Sequence, residues 1–156
     1  MSGTIESRLS ELGITLPEAA APAANYVPYV QTGNLVFISG QITLLNGEFH
    51  YQGRVGETLS LEDGIAAARL CGLNLIAQVR AAAGGDLDRV SRVVKLGGFV
   101  NSGPDFIDHP KVINGASDLM VEVFGDKGRH ARFAVGAPAL PFNVGVEVEG
   151  TFELAP

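Results

Sequence analysis

Arg132-Phe-Ala-Val-Gly-Ala-Pro-Ala-Leu-Pro-Phe-Asn-Val-Gly-Val-Glu-Val-Glu149 lies in the last quarter of the chain and decides how the rest is read. Two apolar runs, 133–137 and 144–148, are broken by Pro138 and by Leu140-Pro141. Proline has no N–H to give to a ladder, so the pattern predicts two strands joined by a bent connection. In the second run Val144, Val146 and Val148 alternate with Gly145, Glu147 and Glu149, which sends the two sets to opposite faces. Arg132 opens the first run. If the two strands are neighbours, its guanidinium and the Glu147 carboxylate share one side of a sheet. Two readings follow: an anion anchor built on the planar, permanently charged fork of arginine, or an ion pair between strands.

Working outward, Arg129-His130-Ala131 leads into the first of these strands, and His130 stands as either a neighbour of the site or a surface residue. Residues 111–124 predict a helix that buries Val112, Ala116, Leu119, Met120 and Val123. Before it, the loop 105–110 carries His109 as a loop or helix-entry residue, and Lys95-Leu-Gly-Gly-Phe-Val100 predicts a strand closed by Asn101-Ser-Gly-Pro104. Ser60-Leu-Glu-Asp63 is a capping box opening the longest helix, about 61–83. Its stripe of Leu61, Ile65, Ala68, Gly72, Leu75 and Val79, with small residues at 68 and 72, suits close packing on a sheet, and Gly84-Gly85 ends it. Cys71 reads as a packed thiol among alanines and leucines. Tyr26 to Gln31, the turn Thr32-Gly33-Asn34 and Leu35 to Ile42 predict two strands, and Ser39-Gly40 permits close approach to the backbone. Leu45 to Glu48 is a turn, and 49–54 a short excursion or strand edge carrying His50, a surface residue with no metal-ligand spacing around it. Residues 4–12 predict a short amphipathic helix, and the Ala/Pro-rich segment 17–25 an extended arm.

The element order is short helix, β, β, long helix, β, helix, β, β, an α+β arrangement with two helices on one face of a sheet. The other face needs cover, which self-association supplies. With 156 residues the chain forms one domain, divided here into an N-terminal helix and arm over 1–23 and a single body over 24–156. Hydrophobic residues make up 46% and charged ones 18%, a globular composition. The formal charge of -6 argues against extended binding of nucleic-acid backbones. A single cysteine forbids an intrachain disulfide, the N-terminus carries no signal-peptide pattern, and no apolar run reaches the roughly 20 residues of a bilayer span. A cytoplasmic protein is expected.

Several stretches carry a resemblance. Pro28-Tyr-Val-Gln31, Ile38-Ser-Gly-Gln-Ile42, Ala66 to Ala83 with Gly84-Gly-Asp-Leu-Asp-Arg-Val90, Lys95 to Val100, Val112-Ile-Asn114, Ala131-Arg-Phe-Ala-Val135, Leu140-Pro141 and Val146-Glu-Val-Glu149 follow one another in a specific order. In these the sequence resembles the RidA/YjgF/UK114 (L-PSP) family over about residues 24–154, as a longer branch with its own N-terminal helix, 45–58 segment and 103–110 loop. The resemblance implies a chorismate-mutase-like α+β fold and a homotrimer whose sheets form a central barrel, with ligand clefts between subunits. It implies hydrolysis of reactive enamines and imines to 2-keto acids and ammonia, with no metal and no organic cofactor. On this chain the family's carboxylate-binding arginine falls on Arg132 and its acidic residue on Glu147. Its substrate-binding positions fall on Tyr29, Ser39, Gly40 and Asn114, and Ala134 stands where archetypal members carry a cysteine. Two other classes are carried beside this one. One is a trimeric binder of small carboxylate metabolites without turnover; the other is an endoribonuclease or translation inhibitor, disfavoured by the acidic balance.

Overall fold

The computed structural model describes residues 3–20 and 25–156. Of the expected N-terminal helix and arm, residues 1, 2 and 21–24 lie outside the described residues.

A five-stranded sheet carries the molecule. Its strands are β1 (Tyr29–Thr32), β2 (Leu35–Gln41), β5 (Val90–Asn101), β6 (Ala131–Ala137) and β7 (Val146–Leu154), in the spatial order β1-β2-β7-β5-β6. A small hairpin, β3 (Leu44–Leu45) and β4 (Glu48–Phe49), turns through Asn46 and Gly47, both at positive φ. The β5–β6 pair is parallel and the other pairs are antiparallel. The mixed α+β fold agrees with the order of elements in the sequence.

One expectation is corrected. The two strands of the C-terminal stretch are not neighbours, because β5 lies between them. The cause is connectivity: the helix between β5 and β6 makes a crossover that lays β6 parallel along the outer edge of β5, while β7 returns to fill the gap between β2 and β5. Strand β5 also starts earlier than its apolar run at Lys95; two irregularities, at Val90/Arg92 and Val93/Lys95, break the period-two pattern over its first turns.

Helix α2 (Leu61–Ala82) begins at the expected capping box, where Ser60 Oγ accepts from Asp63 N at 3.0 Å and Asp63 Oδ2 accepts from Ser60 N at 3.1 Å. Helix α3 (His109–Phe124) opens two residues ahead of the expected boundary, with Pro110 in its first turn. Both lie on one face of the sheet, over a core that includes Leu75, Val79, Leu96, Val112, Leu119, Val148 and Phe152. Gly72 does not face the sheet as its stripe suggests: a Cβ there would stand 3.0 Å from Leu119 Cδ2 and 3.4 Å from Ala116 Cα, so its small size brings α2 against α3. Cys71 turns to the sheet instead, fully buried, and donates to the Val146 carbonyl at 3.4 Å. Helix α1 (Thr4–Glu11) has its first amides capped from outside by Asp88, whose carboxylate accepts from Thr4 N and Ile5 N at 2.9 Å each, which holds that carboxyl below its usual range.

The closest helix contact is at Gly115, where an added Cβ would collide with the Ile65 carbonyl. Backbone cannot step aside as a side-chain tip can. Gly115→Ala is expected to lower the unfolding free energy by about 1–3 kcal/mol in urea denaturation, and an unchanged midpoint would refute this account of the α2–α3 contact.

Candidate functional site

Partners in a β ladder point to the same face, so the register says where each candidate residue looks. Arg132 pairs with Leu96, Ala134 with Gly98 and Gly136 with Val100. Leu96 and Val100 are core residues, and a Cβ on Gly98 would press on Ile113 of α3. Arg132 and Ala134 therefore look toward α3 from the edge strand. Arg132 Nη1 donates to Asn114 Oδ1 at 2.8 Å and to Ser117 Oγ at 3.1 Å, both one helical turn apart on α3.

Behind Ser117 stands His130. Its Nε2 is 2.8 Å from Ser117 Oγ and its Nδ1 is 2.6 Å from the Gly128 carbonyl. A carbonyl only accepts, so Nδ1 carries the proton; Nε2 then accepts the Ser117 hydroxyl, and Ser117 Oγ is left to accept from Arg132. This directional chain requires a neutral imidazole. Burial lowers the His130 pKa, and the Arg132 charge acts the same way against the Gly128 carbonyl, so the neutral form is favoured. His130, left open between site and surface on sequence, belongs with Arg132. Ser117 was missed by sequence reading. Its only signal was its place three residues after Asn114 on the same helix face.

Arg132 makes no ion pair with a carboxylate among the described residues. The inter-strand pair with Glu147 is ruled out by topology. Glu147 pairs with Phe99, whose other neighbour is Val135, and this set faces away from the helices. Within one chain Arg132 and Glu147 lie on opposite faces, two strands and three register positions apart, which is about 10 Å across and about 10 Å along the sheet.

Glu147 has its own surroundings. It lines a cavity of about 190 Å³ with Ser39, Gly40, Asn74, Phe49 and Phe142 among its walls. Gly40 is where β2 and β7 slip register, between Ile38 and Gln41, and a Cβ there would collide with the Glu147 carboxylate. Only glycine admits that carboxylate at this position. Ser39 Oγ donates to the Val27 carbonyl at 2.9 Å, which leaves its lone pairs open to a donor. Burial pushes the Glu147 carboxyl above the usual range, and the neighbouring Glu149 charge adds to this. Tyr29 pairs with Ile38 and packs against the core, while its neighbours Tyr26 and Pro28 line the cavity. Among the described residues no group of His, Cys, Asp and Glu is placed to hold a metal ion, and no helix is long and apolar enough to cross a membrane.

The 45–58 segment shapes this cavity. Phe49 of β4 stacks on Phe142 with ring centroids 4.7 Å apart and an interplanar angle of 21°. Gln52 Nε2 donates to the Phe142 carbonyl at 2.8 Å, Gly53 N to the Asn143 carbonyl at 2.7 Å, and Gly145 N to the Tyr51 carbonyl at 2.8 Å. These bonds hold Phe142 and Asn143 in left-handed conformations, φ 57° and 58°. Sequence reading had no handle on Phe49 or Phe142, since an aromatic residue beside a turn carries no local signal of its partner.

Comparison with known proteins places this geometry in context. The model of the family described as "YjgF/chorismate mutase-like, putative endoribonuclease" matches residues 6–153. Protein TCP17 of Trypanosoma cruzi is 51% identical over 154 residues, 98% of this chain and 96% of the relative. A solved structure from Shewanella oneidensis, given the same endoribonuclease description, is 42% identical with a TM-score of 0.93, covering 97% of this chain and 100% of that one. The structure of E. coli TdcF with bound serine is 25% identical with a TM-score of 0.61, covering 90% and 94%.

The raised Glu147 pKa carries a sign. A carboxyl whose folded pKa lies above its unfolded value contributes stability that is fully present below the unfolded value, 4.5, and is lost as pH rises through the folded pKa. Glu147→Gln, which cannot ionise, is therefore expected to unfold at a higher temperature than wild type at pH 7, with the gain vanishing at pH 4. A wild type more stable than the variant at pH 7 would contradict the burial of this charge.

Proposed function

Starting from the chain's membership of the YjgF/chorismate mutase-like family, also known by the names RidA, UK114 and L-PSP, we propose that it hydrolyses small 2-imino and 2-enamino acids to 2-keto acids and ammonia. The observation that carries this reading is Arg132, a guanidinium oriented by Asn114 and Ser117 and paired with no carboxylate among the described residues. Such a fork fits the carboxylate of an incoming molecule as a bidentate pair. Serine bound to TdcF is in keeping with an amino-acid-like ligand.

The two halves of the site are too far apart in one chain to touch one small molecule. The proposed working form is therefore a homotrimer, in which the Arg132 half of one copy faces the Glu147 half of the next and the cleft lies between subunits. Supporting this, the sheet face away from the helices exposes Val30, Phe37 and Val135 at 53%, 45% and 43%. Apolar residues on a bare sheet face call for cover.

In the proposed reaction Arg132 holds the substrate carboxylate and so places C2, and Ser39 Oγ accepts from the iminium N–H. Glu147 acts as general base, taking a proton from water as the water oxygen bonds to C2. The carboxyl then returns that proton to the nitrogen, the C–N bond breaks, and the hydroxyl proton leaves with ammonia as ammonium while the C=O forms. One water is consumed and Glu147 ends as it began. An iminium is already electrophilic, so positioning and proton transfer suffice. The pKa of Glu147, pushed up by burial, makes it a stronger base than a solvated carboxylate.

A second reading, binding of keto acids without turnover, uses the Arg132 half alone. Glu147 in its cavity with Ser39 and Gly40 favours turnover over it. Ribonuclease activity, suggested by the descriptions of the relatives, has the charge of -6 against it.

The test is release of keto acid and ammonia from 2-aminoacrylate generated in situ. Arg132→Ala is expected to lose about 100-fold or more in kcat/KM with sedimentation unchanged, and Glu147→Gln to lose turnover while still binding pyruvate. Wild-type rates should fall as pH drops through the raised Glu147 pKa. Full activity in Arg132→Ala would refute the anchor, and binding of pyruvate by a wild type that accelerates no imine would leave the non-catalytic reading.

A further inference from the structure

A planar iminium carbon carries three substituents. With the carboxylate on Arg132 of one copy and the nitrogen on Ser39 of the next, the third, the substrate's side chain, is left to the cavity that Ser39 and Glu147 line. We infer that this cavity selects imino acids with a bulky apolar or aromatic side chain; the inference rests on the deaminase reading and names its substrate class.

The apolar part of its wall includes Pro28, Ile42, Leu44, Phe49, Pro141 and Phe142. At about 190 Å³ the space exceeds by an order of magnitude the about 10–15 Å³ that one water needs. The two-hydrogen end group of 2-aminoacrylate would leave it nearly empty. No lysine or arginine lines the cavity among the described residues, so a second carboxylate on the substrate finds no counter-charge. The amide of Asn74 is already committed, its Nδ2 donating to the Ile42 and Leu44 carbonyls at 3.0 Å each. The lining is mostly apolar, with Tyr26, Ser39, Gln41 and Glu147 as its other polar groups, so an apolar side chain buries more matching surface there than a polar one.

The aromatic pair makes the selection specific. Phe142 is 56% exposed and Phe49 37%, yet both are held in place, by their mutual stacking and by the bonds from Gln52, Gly53 and Tyr51 to the 142–145 loop. Large apolar rings kept exposed and rigid at the rim of a cavity present a preformed surface to a ligand at little entropic cost. Their fixing comes from the 45–58 segment, so the selectivity belongs to this longer chain.

The experiment compares imines made in situ: 2-aminoacrylate, and the imino acids formed from leucine and phenylalanine by an L-amino acid oxidase with catalase. Wild-type kcat/KM is expected to be about tenfold or more higher for the leucine- and phenylalanine-derived imines than for 2-aminoacrylate. Phe142→Ala should shrink that ratio about tenfold, and Phe142→Leu should retain most of it. Equal kcat/KM across the three, or an unchanged ratio in Phe142→Ala, would overturn the inference while the deaminase reading stands. Should no imine be hydrolysed, the deaminase reading falls and calorimetry with phenylpyruvate and pyruvate decides the cavity. Tighter phenylpyruvate binding that Phe142→Ala abolishes would uphold the apolar selection, and equal binding would end it. Light scattering of Phe142→Ala should match wild type; a changed mass with activity lost on every substrate would mark Phe142 as an assembly contact and overturn the selection.

Discussion

Strand β7 is hydrogen-bonded along both edges, to β2 and to β5, and the remainder of the fold is placed by that double pairing. Its valines and Phe152 turn toward α2 and α3 and form the centre of the core, while Glu147, Glu149 and Thr151 are sent to the opposite face. A shift of one residue would exchange the two sets and bury the carboxylates of Glu147, Glu149 and Glu153 under the helices, so hydrophobic burial fixes the register strongly. The same constraint brings Glu147 to the register slip at Gly40, and the site's acidic residue is thus held by the core rather than by the loops around it.

Two charged groups are held at some expense to the folded chain, and each by a different device. Glu147 loses solvation beside a glycine and a second carboxylate, which raises its pKa and makes it the better base. Arg132 keeps its charge but loses freedom: the line from Gly128 through His130 and Ser117 gives each hydrogen bond a single direction and leaves one edge of the guanidinium without a protein acceptor among the described residues. Stability alone would favour neither arrangement. Their presence in one chain, on opposite faces of one sheet, is the physical basis for the proposal that the site is completed between copies.

The secondary elements were legible because each has a local cause. Ser60 and Asp63 cap α2, Asn46-Gly47 marks a turn, and the Val144, Val146, Val148 alternation marks a half-buried strand. Arg132 and Glu147 stood out because charged residues inside short apolar runs need an explanation. What could not be read locally were residues whose meaning lies in a distant partner: Ser117 behind Arg132, Phe49 against Phe142, and Gly72, whose smallness serves α3 and not the sheet.

By itself, then, the sequence determined the order and type of the main helices and strands, the alternation along β7, and the family to which the chain belongs, since all of these depend on near neighbours and on order along the chain. Only the tertiary structure decided that β5 separates the two C-terminal strands, that Arg132 and Glu147 look in opposite directions, and that the 45–58 segment pins the 140–145 loop over the cavity. Strand order and loop contact are settled by crossover connections and by packing between residues some ninety positions apart, and no local pattern records which of the available neighbours a strand edge will take.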